Sequence, residues 1–161
     1  MDTIHIYTDG ACSVNPGPGG YGIIMELVGK PYRKEFSEGF RLTTNNRMEL
    51  MAVIVALEKL KHDNLRVIVH TDSLYVTDAV NKKWIYGWHK KRYEKVKNPD
   101  LWKRFYPLYL KYKPEFIWIK GHTGHPQNER CDRLAVAASK SKNLSVDYGY
   151  EQSQNQPDLF S

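Results

Sequence analysis

The chain has 161 residues, 41% of them hydrophobic and 26% charged, the size and make-up of one globular domain that buries roughly two-thirds of its unfolded surface. Lys plus Arg (24) exceed Asp plus Glu (18), a net charge of +6, and that surplus suits a polyanionic partner or an acidic membrane surface. The longest apolar run, Leu50 to Leu57, is too short to span a bilayer, the first residues lack the basic and apolar regions of a secretion signal, and Cys12 and Cys131 are too few for a disulfide framework; a cytoplasmic monomer is the expectation.

Thr3 to Thr8 alternates and is β-branched, so it predicts a strand. Asn15 to Gly20 has the composition of a turn, and Tyr21 to Val28 and Tyr32 to Leu42 predict two further strands of an antiparallel meander. Helical spacing then runs from Asn46 to about His62, apolar almost all round, as in a helix covered on several sides. A fourth strand is expected over Leu65 to Thr71 and a short helix from Ser73 to about Asn81. Asn98-Pro99 reads as an N-cap with proline at the first helical position, opening a helix through Tyr106 that Pro107 either kinks or ends. Phe116 to Lys120 is the fifth expected strand and Pro126 to about Lys140 the last long helix. The pattern βββ-α-β-α-α-α-β-α implies an α/β fold, a meander continued by parallel strands with helices on both faces. A catalytic domain over residues 1–142 is expected, followed by a flexible polar tail over 143–161, where Lys and Arg are absent.

Four acids stand out against this basic background. Asp9 and Asp72 end the first and fourth strands in similar phrases, Thr-Asp-Gly and Thr-Asp-Ser; Glu49 lies in the first turns of the apolar helix and Asp132 in the last helix. Buried carboxylates repel one another and are costly to desolvate, so a cluster requires cations, and an all-oxygen ligand set suits Mg²⁺ or Mn²⁺. Each acid also has an ordinary reading: Asp9 and Asp72 as turn formers, Glu49 in a capping box with Asn46, Asp132 as a solvated helix residue.

The flanking phrases weigh against those ordinary readings. Tyr7-Thr8-Asp9-Gly10-Ala11-Cys12, Asn15-Pro16-Gly17-Pro18-Gly19-Gly20-Tyr21-Gly22, Thr43-Thr44-Asn45-Asn46-Arg47-Met48-Glu49-Leu50 and Thr71-Asp72-Ser73 occur in order. They are followed by Lys120-Gly121-His122-Thr123-Gly124-His125-Pro126 and Asn128-Glu129-Arg130-Cys131-Asp132. In these phrases, spread over roughly residues 3 to 140, the chain closely resembles bacterial type 1 ribonuclease H. The resemblance implies a ribonuclease H-like, five-stranded mixed sheet. It also implies Asp9, Glu49, Asp72 and Asp132 as ligands of two Mg²⁺ ions, with Mn²⁺ a substitute. The implied reaction is hydrolysis of the RNA strand of an RNA–DNA hybrid, leaving 3′-hydroxyl and 5′-phosphate ends. His122 would assist proton transfer or product departure; His125 reads instead as a helix cap.

Further residues are implicated in holding the hybrid. Lys82 to Lys97 interleaves cations with aromatic residues, the composition of a site that tracks a nucleic-acid backbone. Its alternative is a solvated basic helix with tryptophans in the core. By resemblance Lys83, Trp84, Trp88, Lys90, Lys91 and Arg92 form a shortened basic protrusion that grips the DNA strand. Cys12, Asn15, Asn45 and Asn46 would line the hybrid groove, with Thr44 near a DNA phosphate. Leu74 departs from the Gln of several bacterial relatives. Gln156-Pro157-Asp158-Leu159-Phe160 resembles the peptides that bind the bacterial sliding clamp, with Gln156, Leu159 and Phe160 as its anchors; a chance ending of a polar tail is the alternative. Two competing classes remain: integrase-like or resolvase-like nucleases on the same fold, which lack the Lys-Gly-His-Thr-Gly-His loop, and a non-catalytic hybrid-binding module, which would have lost an acid.

Overall fold

A computed structural model describes residues 1–121 and 124–155. The elements follow the order β1 (Asp2–Cys12), β2 (Gly17–Leu27), β3 (Tyr32–Thr43), α1 (Asn45–Glu58), β4 (Leu65–Thr71), α2 (Leu74–Asn81), α3 (Trp84–Lys90), α4 (Pro99–Tyr112), β5 (Glu115–Trp118), α5 (Pro126–Ser139) and α6 (Tyr148–Gln154). Five strands form one sheet in the order β3-β2-β1-β4-β5. β1 and β2 pair antiparallel, as do β2 and β3, whereas β4 runs parallel to β1 and β5 parallel to β4. The meander continued by parallel strands is therefore present as expected.

The two faces of the sheet are covered unequally. On one, α1 and α4 join Ile6, Ile23, Val67 and Val69 in the main core, where Trp102, Phe105, Leu50 and Ile54 are fully buried. Each such aliphatic or aromatic side chain contributes roughly 1.5–3 kcal/mol relative to exposure. The other face carries α5 over a small cluster of Tyr7, Ile24 and Cys131. Small residues make that second contact possible: a methyl added to Gly22 would collide with the Cys131 carbonyl. β2 begins at Gly17 rather than after Gly20. Gly20 shares the seat for α5, since a methyl there would lie 2.5 Å from Ala135 O, whereas Gly17 is closed by Val14 and Gly19 by Thr43 and Ala11; Gly19 and Gly20 pair with Cys12 and Ala11.

Three local expectations change. Pro107 does not end its helix, because α4 runs on to Tyr112. Both Pro107 and Lys103 are exposed, so water can serve the Lys103 carbonyl that the missing N–H leaves. Asn98 occupies the N-cap position in a left-handed conformation without a capping side chain. Instead its Oδ1 accepts from Arg47 Nη1 at 3.3 Å and its Nδ2 donates to the Tyr75 hydroxyl at 3.0 Å. β5 ends at Trp118 rather than Lys120.

The largest difference is at the start of the expected tail. Ser145 bridges to Phe40, donates to Gly39 O at 2.8 Å and accepts from Arg41 N at 3.0 Å; α6 follows directly. Its cap, Asp147, accepts from Arg47 Nε at 2.8 Å and Nη2 at 2.9 Å and from Thr43 Oγ1 at 2.7 Å. Arg47 also reaches Asp100, with Nη2 to Oδ2 at 2.7 Å. The segment thus straps onto the domain through one buried acid, a feature that polar composition conceals. Residues 156–161 lie outside the described part. Among the described residues no helix is long and apolar enough to cross a membrane.

Arg47 and Asp147 are each 2% exposed in their side chains, and breaking a buried pair is expensive because it strands a charge. Asp147→Ala is expected to lower unfolding free energy by about 3 kcal/mol, the low end of that range because Asp100 stays in place. Urea denaturation measures this, and a loss below about 1 kcal/mol would mark the strap as an ordinary surface pair.

Candidate active site

The site lies where the sheet's two central parallel strands part. β1 and β4 pair up to Thr8 and Thr71; beyond that point β1 continues beside β2 as far as Cys12, while β4 gives way to α2. The residues just past the divergence are Asp9 and Asp72, so each projects from the carboxyl end of a parallel pair, where ligand sites of α/β sheets form. Asp9 therefore sits inside β1 rather than at its end, because Gly10 to Cys12 pair with Gly19 to Tyr21.

Glu49 arrives from α1. Thr44 caps that helix, its hydroxyl accepting from Arg47 N at 3.3 Å. Gly10 lets the helix press onto β1: a methyl there would lie 2.6 Å from Glu49 N and 2.8 Å from the Met48 carbonyl carbon. Neither ordinary reading survives for these two acids, since Asp9 is not in a turn and the capping residue is Thr44 rather than Asn46.

One carboxylate oxygen from each of Asp9, Glu49 and Asp72 lies within 4.8 Å of the other two. Asp9 is 5% exposed and Glu49 6%, and Glu49 Oε2 is buried without a hydrogen-bond partner. Burial pushes the Asp9 carboxyl up to about 8; Asp72 and Asp132 add to the effect, while the contact with Glu49 and the Gly10 amide, at 2.9 Å from Oδ1, oppose it. Glu49 is raised well above its ordinary value, first by burial and then by Asp9 and Asp72. Neither Asp9 nor Glu49 has an ion pair among the described residues. Three converging oxygen donors, two of which hold protons more tightly through burial first and repulsion second and one of which leaves a buried oxygen unserved, have the chemistry of a hard divalent-cation site.

The fourth acid stands apart. Asp132, part-buried on α5, falls outside the three-oxygen group, although its charge still raises the Asp9 carboxyl. His122 lies outside the described residues, as do Gln156, Leu159 and Phe160. His125 is a helix cap, its Nδ1 accepting from Asn128 N at 3.3 Å.

The residues expected to line the hybrid groove come from the end of β1, the β1–β2 turn and the start of α1. Asn15 Oδ1 accepts from Asn45 N at 3.0 Å, joining the β1–β2 turn to the first turn of α1, and Asn45 and Asn46 are both exposed. The Cys12 thiol donates to Val14 O at 3.1 Å and is part-buried. Packed against α2 and α4, α3 carries Trp84, 46% exposed, and Trp88, half-buried and 5.0 Å from the Trp102 ring. Trp84 is thus a surface residue and Trp88 a root in the core. Lys83, Lys90, Lys91 and Arg92 are exposed. Lys83, Arg92, Tyr93 and Lys95 hold positive φ angles, so the chain around α3 turns tightly instead of forming a longer arm. Leu74, 54% exposed, opens α2 two residues after Asp72.

Two residues beside the site carry no role in the sequence reading. Arg47 sits two positions before Glu49 and is saturated by Asp147 and Asp100; an arginine inside an otherwise apolar helical run was its signal. Trp118 donates from Nε1 to Asp72 O at 3.0 Å, and strand alternation alone does not foretell that.

The RNase H family model matches residues 1–140. The chain is 54% identical over 152 residues to the ribonuclease H of Desulforamulus reducens, an alignment covering 91% of this chain and 94% of that protein. Among solved structures it is similar to LC9-RNase H1, a type 1 RNase H with the type 2 active-site motif (TM-score 0.79, 30% identity, 97% of this chain and 82% of that one). It is also similar to LC11-RNase H1, solved in complex with an RNA/DNA hybrid (TM-score 0.64, 29% identity, 84% and 95%). With a carboxylate triad placed at the parting of the central strands and a match over most of its length, this chain belongs to the ribonuclease H family of nucleases, on its bacterial type 1 branch.

Proposed function

We propose that the protein hydrolyses the RNA strand of RNA–DNA hybrids by a two-metal-ion mechanism, leaving 3′-hydroxyl and 5′-phosphate ends. The observation that carries this reading is the buried triad of Asp9, Glu49 and Asp72, whose oxygens converge within 4.8 Å. The unserved Glu49 oxygen and the all-carboxylate donor set fit Mg²⁺, with Mn²⁺ as substitute. Such ions, when bound, lower the pKa of a water and offset charge on the phosphate oxygens. Asp132 is the fourth ligand in this reading, and His122 assists proton transfer or product departure.

The chain's own groups supply positioning and selectivity. Asn15, Asn45, Asn46 and Cys12, on segments next in sequence to Asp9 and Glu49, carry polar groups suited to the ribose 2′-hydroxyl, which both donates and accepts. Thr44, its hydroxyl engaged by the Arg47 amide, sits where a DNA phosphate meets the start of α1. The exposed Trp84 and the cations Lys83, Lys90, Lys91 and Arg92 offer a stacking surface and charge for the DNA strand. The hybrid held by the related LC11-RNase H1 supports this substrate.

A nuclease assay on matched RNA–DNA hybrid, double-stranded RNA and double-stranded DNA in Mg²⁺ tests the proposal. Only the hybrid is expected to be cut, with EDTA abolishing cleavage. Asp72→Asn is expected to fall to background while still binding hybrid. Comparable cutting of either homoduplex, or full turnover by Asp72→Asn, contradicts it.

The same triad sets a pH dependence. An acid whose folded pKa is raised stabilises the fold below its unfolded value near 4 and loses that contribution as pH climbs through about 8. His70, held at about 4 by burial and by His5 and His125, acts oppositely between about 4 and 6.5, so the carboxylate effect is read above pH 7. The thermal midpoint of metal-free protein is expected to fall from about pH 7 to about pH 8.5. Mg²⁺ should reverse the fall in the wild type, and Asp9→Asn should flatten it. A wild-type midpoint indifferent to both pH and Mg²⁺ would count against a strained carboxylate cluster.

A further inference from the structure

Asp72 is held by an unusual share of contacts from one neighbouring segment. The peptide group before its Cα is pinned where Thr71 O accepts from Ile119 N at 2.9 Å. The peptide group after it is pinned at both ends: Ser73 N donates to Thr71 Oγ1 at 3.1 Å, and Asp72 O accepts from the indole Nε1 of Trp118 at 3.0 Å. The carboxylate itself is crowded by Gly121, where an added methyl would lie 2.9 Å from Oδ2. Three of these constraints come from residues 118–121, just past the point where β5 stops pairing with β4 at Trp118 and Thr71.

Trp118 is costly to keep where it is. Its side chain is 45% exposed, so it adds less to the core than a buried tryptophan, and its indole N–H is spent on a backbone carbonyl that water could serve equally well. A half-exposed ring bonded to the backbone of an acid in the triad does more for that acid's direction than for the fold's stability. Groups that hold a ligating side chain in place commonly set metal affinity.

We infer that Trp118 is a positioning residue for Asp72: its indole N–H fixes the peptide plane that aims the Asp72 carboxylate, and so sets the affinity of the triad for divalent cations. This rests on the reading of Asp72 as a metal ligand. Trp118 touches neither substrate nor ion in this role. Its effect reaches the site through the Asp72 backbone, with Gly121 limiting the carboxylate on its other side.

The test is Mg²⁺ binding measured by calorimetry on the free protein, beside thermal melting and hybrid-cleavage kinetics. Trp118→Phe keeps the ring and removes the donor. Its Mg²⁺ dissociation constant and the Mg²⁺ concentration for half-maximal cleavage are expected to rise roughly tenfold, with KM for hybrid unchanged and kcat recovered at saturating Mg²⁺. Ile117→Ala, on the same strand, is 43% exposed in the wild type and is the control for general weakening of β5. Wild-type Mg²⁺ affinity in Trp118→Phe overturns the inference, whatever its melting temperature, and so does an equal loss of affinity in Ile117→Ala. Asp72→Asn, titrated alongside, separates the two readings: undiminished Mg²⁺ affinity there would remove Asp72 from the ligand set independently of Trp118.

Discussion

The withdrawal of neighbouring acids from water, with mutual repulsion added to the cost of burial, is the constraint around which this molecule is organised. Asp9, Glu49 and Asp72 approach within 4.8 Å, and both Asp9 and Glu49 respond by holding protons more tightly than a free carboxyl does. No gain in folding free energy comes from such an arrangement; it persists because the surrounding structure over-determines it. The parting of β1 and β4, the missing side chain at Gly10 and the pinned peptide after Asp72 all force the three groups together. A fold that invests backbone geometry in bringing like charges together is prepared for a cation.

The nearest arginine on α1 does not supply that charge. Arg47, two residues from Glu49, is turned away from the triad and closed off by Asp147 and Asp100. The consequence is a division of labour within one helical turn. Arg47 ties α1 to the C-terminal strap and to the start of α4, and Glu49 faces the site. Asn98 extends the same network to Tyr75, and Tyr75 in turn accepts from the Trp102 indole at 3.0 Å. Trp102 supports Trp88 of α3, so the frame that steadies the acids also steadies the root of the basic, aromatic segment.

Much of this was legible in the residues. β4 was predicted to the residue, because Leu65 to Thr71 is a short β-branched run closed by a turn signal. The acids stood out because an apolar-flanked carboxylate in a basic chain has no cheap explanation. What escaped had physical reasons. Gly17 to Gly20 has the composition of a turn, and only pairing with β1 and β3 on either side shows that those glycines belong to a strand. Residues 143–155 look like a disordered tail because the partners of Ser145, Asp147 and Glu151 all lie about a hundred positions away, in β3 and α1. Spacing along α5 does not encode how far Asp132 stands from the other acids: it lies outside the three-oxygen group, near enough for its charge to raise the Asp9 carboxyl. Trp118 was invisible because its bond goes to a backbone carbonyl, which any residue at position 72 would present.

The central claim is that the triad exists to hold divalent metal. Anomalous X-ray scattering from crystals equilibrated with Mn²⁺ examines it most directly. A strong peak is expected within bonding distance of carboxylate oxygens from Asp9, Glu49 and Asp72 together. Saturating Mn²⁺ with no density among those three oxygens, or manganese held only at acids elsewhere on the surface, would contradict it.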